Sequence, residues 1–261
     1  MASRLRLVGP APNPDRDPST DLSGSGAAAG EGGEVEARRP MRPRREVTDL
    51  GAGSEVVHVP RFVPRETAWD WFDYLDRTIP WDRPKICVFG RSSVQPRDTC
   101  YVADVGLTDL KYSGHQPDAH TWDEFPVLKD ILKAVHEALP GSHFNSLLLN
   151  RYKTGSDYVS WHADDEPLYG PTPEIASVTF GCERDFVLRK KPTKSKAASG
   201  SGEAATKRLK VAPQQQHSYL LKHGSLLVMR GYTQRDWHHS VPKRAKASSP
   251  RINLTFRRVL T

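Results

Sequence analysis

From residue 147 onward the chain is built from short apolar stretches, at 147–152, 175–180, 185–188, 219–221, 225–229 and 252–259, punctuated by Gly155, Gly170-Pro171 and Gly224. Short apolar runs bounded by turn-formers read as strands, and many such strands in succession predict a jelly-roll barrel or sandwich. Two segments ahead of them carry a helical period instead. At 67–76, Trp69, Phe72, Tyr74 and Leu75 are spaced among charges, and at 126–139, Leu128, Ile131, Leu132 and Val135 form one apolar face. The predicted class is therefore mainly β with flanking helices (α+β).

The last strand is the most informative. From Arg251 to Arg257 the chain alternates, with Ile252, Leu254 and Phe256 on one face and Arg251, Asn253, Thr255 and Arg257 on the other. An exposed amphipathic strand has the same alternation. Two guanidinium forks flanking an amide and a hydroxyl also suit a small dicarboxylate, because the fork binds a carboxylate through two parallel hydrogen bonds.

A second pattern points to a metal. His162 and Asp164 stand two apart, so on an extended chain both side chains point the same way, and a second histidine, at 239, lies 75 residues beyond Asp164. Two imidazoles and a carboxylate on one face of an octahedral Fe(II) leave three positions open, enough for a bidentate 2-oxo acid and dioxygen. His-x-Asp by itself is common. Its pairing with the polar face of 251–257 is what points to an iron-dependent oxygenase. His238 and His239 both compete for the third ligand position, since neighbouring strand residues point to opposite sides.

Taken in order, Leu149-Asn150-Arg151-Tyr152, His162-Ala163-Asp164-Asp165-Glu166, Ile175-Ala176-Ser177-Val178-Thr179-Phe180-Gly181, Trp237-His238-His239-Ser240-Val241-Pro242 and 251–257 resemble the motifs of the AlkB family of Fe(II)/2-oxoglutarate dioxygenases, over about 85–260. The resemblance implies a double-stranded β-helix with iron at one mouth. It selects His162, Asp164 and His239 as the iron ligands and leaves His238 as a packing residue. It groups Arg251, Tyr152 and Asn253 about the distal carboxylate of 2-oxoglutarate, with Thr255 on the same face, and places Arg257 and Asn150 toward the iron-chelating end. Asp165 and Glu166 match residues that reach the substrate base or nearby arginines.

The branch resembled most is the one that repairs alkylated bases in duplex DNA, because Val88-Phe89-Gly90 matches its intercalating finger. Phe89 would insert into the base stack, with Arg91 and Arg97 near phosphates. Leu110-Lys111-Tyr112 would form a lid with Tyr112 stacking on the flipped base; Leu110 stands where the family often has an aromatic residue. The implied reaction is oxidative demethylation of 1-methyladenine and 3-methylcytosine in double-stranded DNA, with single-stranded DNA as a second form, releasing formaldehyde, succinate and CO2. The alternatives are an RNA demethylase of the same family and a nucleic-acid-binding module that has lost turnover.

Composition fits a polyanionic partner. Lys+Arg outnumber Asp+Glu by 38 to 31, for a net charge of +7, although a charged surface also serves solubility. The placement of charge says more. In the segment at 189–210, Arg189, Lys190, Lys191, Lys194, Lys196, Lys207, Arg208 and Lys210 face a single acid, Glu203. A flexible basic loop is expected there, gripping the strand opposite the lesion through its phosphates. Residues 1–54, rich in Gly, Ala, Pro and charge, are expected to be a disordered tail. Its cluster Arg38-Arg39-Pro40-Met41-Arg42-Pro43-Arg44-Arg45 suits a nuclear import signal or a DNA-tethering arm. The catalytic domain is then 55–261, with nucleotide recognition at about 85–120. Cys87, Cys100 and Cys182 show no close pairing and are expected to be reduced thiols. No apolar stretch reaches membrane-span length and no secretory core opens the chain, so a soluble, nuclear, monomeric protein is expected.

Overall fold

The computed structural model describes residues 44–88, 91–107, 118–192 and 214–260. The expected tail up to residue 43, Phe89 and Gly90 of the finger, the lid residues Leu110, Lys111 and Tyr112, and the middle of the basic loop lie outside them. Of the finger, the structure describes only the backbone at Val88 and Arg91.

In chain order the elements are β1 (Glu46–Gly51), β2 (Ser54–Val59), α1 (Arg65–Thr78), β3 (Lys85–Val88), β4 (Arg91–Val94), β5 (Asp98–Ala103), β6 (Ala119–Thr121), α2 (Pro126–Ala138), β7 (Ser146–Tyr152), β8 (Val159–His162), β9 (Ile175–Gly181), β10 (Arg184–Lys190), β11 (Gln216–Leu221), β12 (Ser225–Gly231), α3 (Thr233–Asp236), β13 (Trp237–Val241) and β14 (Arg251–Arg257). Eight strands form a major sheet in the order β1-β2-β12-β9-β14-β7-β5-β6, and four form a minor sheet, β11-β10-β13-β8. β3 and β4 make a separate hairpin in which Val88 is paired with Arg91.

The major sheet is covered on both faces, which explains why its strands are so apolar. Leu147 and Leu149, Ala176, Val178 and Phe180, and Ile252, Leu254 and Phe256 pack on one side with Ala68 and Leu75 of α1 and Leu128, Ile131 and Val135 of α2. On the other side a second core, with Ile175, Leu227 and Met229 from the major sheet and Phe186, Leu188, Trp237 and Val241 from the minor one, fills the space between the two sheets. This is the predicted jelly-roll arrangement. Leu254 is fully buried in the helix-facing core, so Leu254→Ala should cost about 2–5 kcal/mol of stability, read as a lower midpoint in urea unfolding, with no direct contact to the polar face lost.

Three expectations change. The boundary of the expected tail at residue 54 is too late, because 46–51 is a strand paired along its length with β2. Only Leu50 of that strand is buried, so its sequence is that of an edge and carries no apolar alternation. The last strand ends at Arg257 and not at 259. Asn145, just before β7, donates from its side chain to the Val259 carbonyl and accepts the Val259 N–H, standing in for a strand partner. The metal strand also stops early: β8 ends at His162, so Asp164 follows the strand and is not part of it.

Gly181 shows why one backbone position has no side chain. It has φ +80°, and a Cβ there would lie 2.4 Å from the Pro250 carbonyl oxygen, closing off the approach that lets β14 start opposite it. Among the described residues no helix is long and apolar enough to cross a membrane. Burial pushes the Cys100 thiol up to about 12, so it stays protonated and unreactive.

Candidate active site

The inner face of the major sheet carries the polar residues of β14. Register aligns Arg251 with Tyr152 and Asn253 with Asn150 on one side, and Asn253 with Thr179 and Thr255 with Ser177 on the other. Directly paired residues project from the same face, so three strands contribute to one polar patch. His162 and His239 face it from the minor sheet, where β8 and β13 pair them directly. Their rings lie 4.1 Å apart, centroid to centroid.

Asp164 completes the group. One ligand atom from each of His162, Asp164 and His239 lies within 4.8 Å of the others. Each imidazole Nε2 is 3.9 Å from a carboxylate oxygen of Asp164, His162 from Oδ1 and His239 from Oδ2. The His162 Nδ1 lies 2.8 Å from the Ser160 carbonyl, which fixes the tautomer with Nδ1 protonated and leaves Nε2 as a lone-pair donor. Phe186 stacks on His239 at 5.3 Å and orients that ring.

The electrostatics keep the three groups in ligand form. Burial holds both imidazoles below their ordinary value, His239 well below it, so both are neutral near pH 7. Burial alone would raise the Asp164 carboxyl, but the Arg257 guanidinium beside it pulls it below the usual carboxylate range. Arg257 donates to Asp164 Oδ2 from Nη2 at 2.9 Å and from Nε at 3.3 Å, and the Asp164 backbone N–H donates to Gln234 Oε1 at 3.0 Å. Oδ1 is buried with no hydrogen-bond partner. An ionised oxygen without a donor inside a protein costs several kcal/mol, so the site suits a cation between this oxygen and the two imidazoles.

Arg251 is the cationic counterpart, suited to an anion. It is 1% exposed, and its Nη2 donates to Thr179 Oγ1 at 2.8 Å and to Asn253 Oδ1 at 2.7 Å, while Nε and Nη1 have no acceptor. Asn253 in turn accepts from Ser177 Oγ and donates to Thr255 Oγ1. Tyr152 lies under the guanidinium, 5.0 Å from its ring centroid. Burial pushes the Arg251 guanidinium down to about 10, so it is still charged at neutral pH and an anion would stabilise it.

The other expected residues vary in position. Asn150 faces the pocket but accepts from Arg97 Nε at 2.6 Å. Arg97 was expected near phosphates; it is 7% exposed and lines the pocket, because it directly precedes the buried strand β5. Asp165 is exposed and pairs with Lys191 at 3.0 Å, while Glu166 Oε2 is buried without a partner and burial raises its carboxyl. His238 lies on the outer side of the minor sheet, opposite Arg189 and away from the metal group. Ser177, Thr179 and Gln234 were not singled out from the sequence. The first two were legible in the alternation of Ile175-Ala176-Ser177-Val178-Thr179-Phe180, but nothing in the chain marks Gln234, whose contact with Asp164 spans 70 residues.

A jelly-roll whose two sheets bring two histidines, one aspartate and a buried arginine face together around one pocket is the arrangement of a non-haem iron oxygenase. The chain belongs to the 2OG-Fe(II) oxygenase superfamily, which it matches over residues 55–257, and within it to the AlkB family; these enzymes use Fe(II) and 2-oxoglutarate. It is 64% identical over 221 residues to the DNA oxidative demethylase ALKBH2 of Arabidopsis thaliana, a match covering 84% of this chain and 70% of the relative. The Homo sapiens DNA oxidative demethylase ALKBH2 is 36% identical over 244 residues, covering 88% and 87%. The Homo sapiens alpha-ketoglutarate-dependent dioxygenase alkB homolog 3 is 37% identical over 207 residues, covering 79% of this chain and 66% of its own length.

Proposed function

We propose that this chain removes N-methyl groups from alkylated DNA bases, 1-methyladenine and 3-methylcytosine, in duplex DNA. The observation that supports this best is the donorless, buried Asp164 Oδ1 beside two neutral imidazoles, together with a buried Arg251, on the strand that also carries Arg257, with two guanidinium nitrogens lacking an acceptor. A module that had lost turnover would have no use for either. His162, Asp164 and His239 would hold Fe(II). Bound iron supplies dioxygen activation coupled to the decarboxylation of 2-oxoglutarate to succinate and CO2.

The protein residues do the binding and orienting. Arg251, Tyr152, Asn253 and Thr255 would take the distal carboxylate, and Asn150 would face the chelating end. Arg257 would serve that end as well while holding Asp164 in place. The hydroxylated methyl group then leaves as formaldehyde.

On the substrate side, Val88, Phe89, Gly90 and Arg91 would wedge the duplex, and Leu110, Lys111, Tyr112, Asp165 and Glu166 would surround the extruded base. Lys243 lies over Tyr158 at 5.0 Å, and Lys191 bonds the Gln234 carbonyl, so basic side chains stand near the ligand strands for phosphate contact. A monomer acting in the nucleus is the setting this implies, and the relatives named as DNA oxidative demethylases support the substrate class.

The test compares methylated duplex DNA, single-stranded DNA and RNA as substrates, measuring base restoration with Fe(II) and 2-oxoglutarate. Duplex DNA should be repaired at least as fast as single strands, and Phe89→Ala should reduce duplex repair far more than single-strand repair, since only the duplex requires a few kcal/mol of unstacking. Faster turnover of RNA than of either DNA would overturn the DNA assignment, and equal losses on both DNAs would remove Phe89 from the wedge.

A further inference from the structure

Tyr152 has a second guanidinium against it. Arg184, at the start of β10, lies 5.3 Å from the Tyr152 ring centroid, with Arg251 at 5.0 Å from the same ring. Arg184 is 1% exposed, and among the described residues it forms no ion pair with a carboxylate. Its Nη2 donates to the Asp157 and Pro242 carbonyls, both at 2.7 Å, and its Nη1 to the Thr154 carbonyl at 3.4 Å, while Nε has no acceptor. Burial holds the guanidinium below its ordinary value.

These carbonyls belong to two connections that meet behind the site. Thr154 and Asp157 lie between Tyr152 and the strand carrying His162, and Pro242 follows the strand carrying His239. The connections touch through the backbone: Arg244 N–H donates to the Gly155 carbonyl at 2.9 Å, and a Cβ on Gly155 would lie 2.0 Å from the Arg244 oxygen. A buried cation serving only as a brace for carbonyls would be an expensive choice, since a neutral donor satisfies carbonyls at lower desolvation cost. The charge has a further use where the second guanidinium against the same ring awaits an anion.

We infer that Arg184 is a positioning residue for the distal carboxylate of 2-oxoglutarate: it fixes the Tyr152 ring and the 153–158 connection so that Tyr152 and Arg251 present one rigid anion site. This rests on the 2-oxoglutarate assignment above. The residue touches neither metal nor co-substrate and acts through Tyr152.

The experiment titrates Mn(II)-loaded protein calorimetrically with N-oxalylglycine, which carries both the chelating end and the distal carboxylate, and with oxalate, which carries only the chelating end. Arg184→Gln should weaken N-oxalylglycine by about tenfold, in the range typical of residues that orient a ligand set, and leave oxalate binding within about twofold of the parent. The KM for 2-oxoglutarate should rise while kcat holds. Adding Arg184→Gln to Tyr152→Ala should cost little more than Tyr152→Ala alone, because both act through one ring. Thermal melting checks folding, and if the Gln variant does not fold, Arg184→Lys must give the same selective loss. Equal weakening of both ligands would make Arg184 a brace for the metal strands alone, and unchanged N-oxalylglycine binding would remove it from the site. A parent that fails to bind N-oxalylglycine sinks the 2-oxoglutarate reading itself.

Discussion

Asp164→Ala is expected to abolish metal binding and turnover together and to lower thermal stability as well. Removing a direct ligand should exceed the roughly 10–100-fold loss of metal affinity typical of residues one shell further out. The stability loss has a separate source. Arg257 is buried and donates twice to Asp164 Oδ2, so deleting the carboxylate removes both of these bonds from a buried pair, and breaking such a pair from one side costs about 3–5 kcal/mol. His162→Ala and His239→Ala remove a neutral ring and strand no charge. They should lose metal and turnover with a smaller drop in melting temperature. His238→Ala should keep both, since its side chain lies on the other side of the sheet. Cobalt(II) absorption titrations with parallel melting curves separate the four variants. Loss of metal in His238→Ala with retention in His239→Ala would reverse the ligand assignment.

Arg251→Met should have the opposite signature. The parent side chain is a buried cation with two unpaired nitrogens, so replacing it with an apolar chain of similar length leaves the apoprotein as stable as before, or more so. Co-substrate binding should suffer. A buried carboxylate deprived of its guanidinium partner loses about 2–5 kcal/mol, which at about 1.4 kcal/mol per decade is on the order of 10²-fold in affinity or more. The expected result is a melting temperature equal to or above the parent's, with a 2-oxoglutarate requirement raised by that factor and a metal affinity close to the parent's. Kinetics that do not change across a co-substrate titration would show that the polar face of β14 serves another ligand.

The amino-acid sequence by itself determined what depends on neighbours along the chain. Alternation in 251–257 assigns Arg251, Asn253, Thr255 and Arg257 to one face because a strand has a period of two, and β14 carries them there. Two helices and six of the eight strands from 147 onward were legible for the same reason, while β8 and β13 were not among the apolar stretches read as strands. The family motifs added the choice of His239 over His238.

Tertiary structure alone decided what depends on residues far apart in sequence. Asp164 is held by Arg257, 93 residues away, and its backbone by Gln234. Arg97 turns from the expected phosphates to Asn150, 53 residues away, and Arg184 reaches Pro242 across 58. The edge strand at 46–51 has almost no apolar face of its own, so its order comes from pairing with β2. Period and propensity are local properties that a chain displays before it folds. A buried guanidinium's partner is fixed only when two sheets close over it, because desolvation selects the nearest donor or acceptor, and the chain does not specify which one that is until the sheets meet.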